Sequence, residues 1–76
     1  MRDLIEFLVR EIVNYPDEVV VHEMTKPGSV TFEIYVMEED TGKVIGRGGR
    51  TITALRTVAK AAGIRDGRRV FVEVMT

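Results

Sequence analysis

Between Val44 and Ile52 the chain reads Val-Ile-Gly-Arg-Gly-Gly-Arg-Thr-Ile, with glycine at 46, 48 and 49. Glycine in a helix interior costs roughly 1 kcal/mol relative to alanine, so three in four positions cannot continue a regular element. They instead permit left-handed backbone angles and the close approach of another chain segment. Apolar residues recur at helical spacing on either side, and the segment must therefore be a tight hinge between two helices. The second helix opens with amide N–H groups that lack intrahelical partners. Those donors, the positive end of the helix dipole, Arg47 and Arg50 together suit a phosphate group.

The distribution of charge agrees with that reading. The net charge is −1. From Lys43 to Arg69, however, the basic residues are Lys43, Arg47, Arg50, Arg56, Lys60, Arg65, Arg68 and Arg69, against the single acid Asp66. From Met1 to Gly42 acids dominate, with only Arg2, Arg10 and Lys26 opposing them. Halves of opposite sign imply a positive surface beside the hinge and a polyanionic partner. Without cysteine there are no disulfides or thiolate metal ligands. The acids within the first apolar run do not resemble a signal peptide, and no stretch is long enough to span a membrane. The expectation is one domain, residues 1–76, in a cytoplasmic protein.

Leu4, Ile5, Leu8, Val9, Ile12 and Val13 recur at helical spacing, and Pro16 predicts that this helix stops near Tyr15. Glu18 to Met24 is valine-rich and reads as a strand. Lys26-Pro27-Gly28-Ser29 fits a type II turn, and Val30 to Val36 alternates with Val30, Phe32, Ile34 and Val36 inward. Glu38-Glu39-Asp40 suits the first turn of a short helix running to about Ile45, which Gly46 would end in a left-handed conformation. Ile52, Leu55, Ala59 and Ala62 line one face of a longer helix ended by Gly63, and Arg69 to Met75 reads as a last strand. The order α-β-β-α-α-β, with a long crossover before the last strand, predicts an α+β fold. Its sheet is small, mixed and three-stranded, with three helices packed on one face.

Two common phosphate motifs do not fit. No glycine is followed by Lys and then Ser or Thr, as a P-loop requires, and Thr51 stands where a dinucleotide fingerprint needs its third glycine. What remains is helix, G-x-x-G, helix. Val44 to Ile52 resembles the V-I-G-x-x-G-x-x-I signature of the KH domain, an RNA-binding module, and the element order resembles its type II, bacterial form. Pro16-Asp17-Glu18 and Glu39-Asp40-Thr41-Gly42-Lys43-Val44-Ile45-Gly46 are similar to stretches of the small stand-alone bacterial KH proteins.

The resemblance implies that about four single-stranded nucleotides are clamped with the G-x-x-G loop on their backbone. Gly46, Arg47, Gly48 and Gly49 would present amides and one guanidinium to phosphate, with Lys43, Arg50 and Arg56 adding charge. Val44 and Ile45 would floor a base groove, joined by Ile52, with core packing the alternative role for both isoleucines and the Lys26–Ser29 turn as the opposite wall. Gly48 departs from the family, where a polar or basic residue is common. The resemblance further implies an RNA chaperone or post-transcriptional regulator in a bacterium, acting beside a second KH protein or as a homodimer. No cofactor or metal is implied. One histidine, no cysteine and no paired nucleophile and base give no sign of an enzyme. Val20, Tyr35 and Phe71 are placed for an open sheet face, as a cross-strand aromatic pair or as a partner interface. The alternatives are a KH-fold protein-interaction module and a single-stranded DNA binder.

Overall fold

The computed structural model describes residues 1–75. Three helices, α1 (Arg2–Arg10), α2 (Thr41–Ile45) and α3 (Arg50–Arg65), accompany three strands, β1 (Val20–Lys26), β2 (Ser29–Tyr35) and β3 (Arg69–Met75). The strand order is β1-β2-β3, with β1 antiparallel and β3 parallel to the central β2. This is the expected α+β arrangement. Alternation along β2 sends Val30, Phe32 and Ile34 to one face, where they are buried with Val21, Val70 and Val72 beneath the helices. Full burial of a side chain such as Phe32 contributes about 1.5–3 kcal/mol.

Several boundaries shift for identifiable reasons. α1 ends at Arg10, before the apolar period runs out, and Pro16–Glu18 forms a short 3-10 turn instead of the start of a strand. β1 consequently begins at Val20, and Val36 lies beyond the end of β2. Gly63 does not end α3, which runs on to Arg65. A Cβ there would collide with Val70 Cγ2 and lie 3.0 Å from the Arg68 carbonyl, so glycine permits helix and strand to touch. Gly67, at φ 69°, supplies the left-handed residue after the helix.

Glu38–Asp40 is a 3-10 turn leading into α2, and Asp40 is not a solvated first-turn acid. Its side chain is 0% exposed. Oδ1 accepts the Asn14 amide at 3.1 Å and Oδ2 the Tyr15 amide at 3.0 Å. One carboxylate thus ties the segment after α1 to the start of α2. At the other end of α1, Arg2 Nε donates to the Val21 carbonyl at 2.8 Å. The helix is fixed to β1 there and to α2 through Asp40.

Replacing Asp40 by alanine would strand two backbone donors and leave a gap. Chemical denaturation of D40A is expected to show a loss of roughly 3 kcal/mol in unfolding free energy. Glu38→Ala, at the start of the same turn, is expected to change stability by less than about 0.5 kcal/mol.

Candidate nucleic-acid interface

α2 stops because the Gly46 amide donates to the Gly42 carbonyl at 2.9 Å and the next step leaves helical space. Gly46 has φ 80° and ψ 167°. That is an extended conformation of positive φ open in practice to glycine alone, rather than the left-handed helical one expected. A Cβ here would strike Thr51 Oγ1 and lie 2.7 Å from the Thr51 nitrogen. Gly48 (φ 64°, ψ 20°) and Gly49 (φ 78°, ψ 14°) then take two left-handed steps in succession. A Cβ on either would meet nothing within 4 Å. The departure at Gly48 therefore removes backbone strain at a left-handed position.

Of the four loop amides, two are spent inside the hinge. Gly46 bonds Gly42 as described, and Gly49 donates to the Gly46 carbonyl at 3.1 Å. This corrects the expectation that all four face outward. The amides of Arg47 and Gly48 make no hydrogen bond among the described residues. Lys43, Arg47 and Arg50 are exposed around them, and none enters an ion pair among the described residues. α3, sixteen residues long, begins here with no acid in its first turn and no side-chain cap. Two amides without a hydrogen-bond partner among the described residues, three exposed cations and the N-terminus of α3 thus fall within the eight residues from Lys43 to Arg50.

The apolar residues divide differently from expectation. Val44 is 0% exposed and belongs to the core, as does Ile52. Ile45 is exposed beside the hinge. Arg56 lies further along α3, where its Nε donates to the Val72 carbonyl at 3.1 Å. That contact, with Gly63 against Val70, makes α3 run antiparallel to β3. The hinge consequently lies toward the end where β3 finishes. The Pro27–Gly28 turn is at the other end, where the Arg69 amide donates to the Gly28 carbonyl at 3.0 Å. It cannot form the opposite wall of a cleft at the hinge.

A family model described as KhpA/KhpB, KH domain, matches residues 2–74. The chain belongs to that family. It is 45% identical over 75 residues to the RNA-binding protein KhpA of Clostridium acetobutylicum, covering 99% of this chain and all of that one. KhpA of Mycobacterium bovis is 49% identical over 73 residues, 96% of this chain and 88% of the relative. KhpA of Thermotoga maritima is 41% identical over 75 residues, 99% of both. Among solved structures, a variant of Aquifex aeolicus Era bound to GDP and aluminium fluoride matches with a TM-score of 0.56 at 22% identity. The match covers 97% of this chain, which spans only 31% of the Era chain, and the likeness concerns the fold alone.

Within this KH frame, Asp40 and Thr51 are the positions that sequence reasoning missed. Asp40 sits among other acids, and its amide partners lie 25 and 26 residues earlier, so no local pattern marks it. Val20, Tyr35 and Phe71 do occupy the uncovered sheet face. Tyr35 stands opposite Val20 and Met75, whereas Phe71 pairs with Thr31. Four residues of strand, about 13 Å, separate the two rings' rows, which rules out an aromatic pair. Partial desolvation, then the Glu33 carboxylate beside it, raise the Tyr35 phenol above its ordinary pKa.

The hinge geometry ranks its glycines. Gly46→Ala is expected to cost about 3 kcal/mol or more, from a forbidden backbone region together with the clash on Thr51. Gly48→Ala, free of any clash, is expected to cost about 1 kcal/mol. Thermal melts of the two variants measure the difference.

Proposed function

We propose that the chain binds single-stranded RNA at the hinge between α2 and α3. The carrying observation is the pair of unbonded amides at Arg47 and Gly48, ringed by Lys43, Arg47 and Arg50, which have no acidic partner among the described residues. Such a corner accepts phosphate oxygens from two backbone donors and nearby guanidinium groups. Ile45 offers apolar contact for a base, and Arg56 adds charge further along α3. Val44 and Ile52 act from behind, holding the helices in place. The names of the KhpA relatives, each an RNA-binding protein, support RNA over single-stranded DNA.

In this reading residues 1–76 work as a single KH domain, non-enzymatic and cytoplasmic, serving as an RNA chaperone or post-transcriptional regulator. Sparse aromatic residues near the loop make affinity for a short site modest and dependent on salt. Association with a second KH protein, or with another copy, would add a linked site and raise it. Two observations support association: the family joins KhpA with KhpB, and Leu4, Phe7, Ile12 and Val58 leave apolar surface exposed on α1, just beyond it and on α3.

The double variant Arg47→Asp with Gly48→Asp tests the site. Aspartate tolerates left-handed angles better than most residues, and position 48 has open space, so the circular dichroism spectrum should persist. Affinity for a short oligoribonucleotide is expected to fall roughly a hundredfold at low salt, with a shallower salt dependence. Equal binding by variant and parent would exclude the hinge and favour a protein-interaction module. Comparison with the matching deoxyoligonucleotide reports whether the 2′-hydroxyl is read.

A further inference from the structure

The sheet face opposite the helices carries an ordered pattern. There the strand registers set side chains in rows, each crossing β1, β2 and β3. Lys26 and Arg69 flank the first row, and Met24 and Phe71 the second. His22, Glu33 and Glu73 make up the third, and Val20 and Tyr35 belong to the fourth. The rows thus run cationic, apolar, acidic, apolar. Same-face residues along a strand put neighbouring rows about 6.6 Å apart.

The outer members of these rows are free within the chain. Lys26, Arg69 and Glu73 are exposed and enter no ion pair among the described residues. Met24 is 41% exposed, Phe71 46% and Val20 53%. Glu33 is held in place: His22 Nδ1 lies 3.3 Å from its Oε1, and the Tyr35 hydroxyl donates to the same oxygen at 3.4 Å. Negative charge is therefore fixed at the centre of the third row.

Exposed apolar rows between unpaired charges of opposite sign make a surface that is its own complement. Two sheets stack about 10 Å apart with strand directions within about 30° of each other. Two dyads could relate them. A dyad along the strands keeps the row order, so like charges meet in both charged rows. A dyad across the strands, through the second row, reverses that order. Arg69 then faces the second copy's Glu73, Lys26 faces its His22 and Glu33, and Met24 and Phe71 meet their own counterparts.

We propose that the uncovered sheet face docks a second copy of this chain in the reversed-row arrangement. The contact is separate from the apolar surface of α1 and α3, and it does not rest on RNA binding. The helices lie on the opposite face, so both hinges stay open. A three-stranded face of seven residues measures roughly 14 by 23 Å. That is small beside a standard interface, and the two copies are expected to exchange at micromolar protein.

Sedimentation velocity of the full chain over a concentration series, without RNA, tests the contact. Arg69→Glu alone and Glu73→Arg alone are each expected to weaken self-association by at least about tenfold, because each sets like charges opposite one another twice. An equimolar mixture of the two variants should associate to within about threefold of the parent, since every reversed charge then meets its opposite. The double variant carrying both changes should do the same. Circular dichroism of each variant checks that the fold persists. A parent that stays monomeric up to about 1 mM overturns the proposal. So do single variants that associate like the parent while Val58→Asp is monomeric, which places the contact on α1 and α3. Weakened single variants that neither the mixture nor the double variant restores overturn the reversed-row pairing.

Discussion

The constraint from which the rest follows is the absence of a side chain at residue 46. Thr51 folds back so closely on Gly46 that a methyl group has nowhere to go, and the backbone there adopts angles that a Cβ penalises. This close approach turns α2 into α3 within four residues. It also decides the fate of the local amides. Gly46 and Gly49 are spent holding the turn, which leaves the amides of Arg47 and Gly48 without a partner among the described residues at the positive end of a long helix. The chemistry of the site is thus a by-product of how tightly the chain reverses.

A hinge of three glycines would be floppy if its flanks were not anchored. Val44 and Ile52, either side of it, are driven into the core, and Asp40 holds the entry to α2 through two amides from the segment after α1. Burying a carboxylate is costly unless its oxygens are satisfied. Here both are, and no buried side-chain polar atom among the described residues lacks a partner. The five-residue α2 is too short to be stable alone, and these tertiary anchors maintain it. Gly42, exposed and with room for a Cβ, therefore sits in a helix that does not depend on intrinsic propensity.

The near-zero net charge conceals the physics that matters for a polyanion. The acids lie mostly in the N-terminal half, where Glu6 pairs with Arg2 at 2.9 Å and with Arg10 at 3.6 Å and Asp40 serves the backbone. Among the described residues the cations of α3, the hinge and the β3 edge are left without such partners, apart from Arg68. Since α3 runs back along β3, its cations and those at the start of that strand border one groove. Separation of sign along the sequence becomes separation of sign in space.

The sequence by itself determined the order of elements, the inward faces of β2 and β3, and the hinge with its flanking cations. Apolar periodicity, glycine chemistry and charge are local properties, legible within a window of a few residues. Tertiary structure alone decided that Asp40 is a buried clamp, that Gly63 is a helix–strand contact rather than a helix end, and that Val44 supports the site from behind. It alone placed the Pro27–Gly28 turn at the opposite end of the sheet from the loop it was expected to face. Each of these depends on which distant segment arrives alongside: Asn14 and Tyr15 beside Asp40, Val70 against Gly63, Val72 beneath Arg56. Such meetings are fixed by how the helices pack over the sheet, and no periodicity within one element records them.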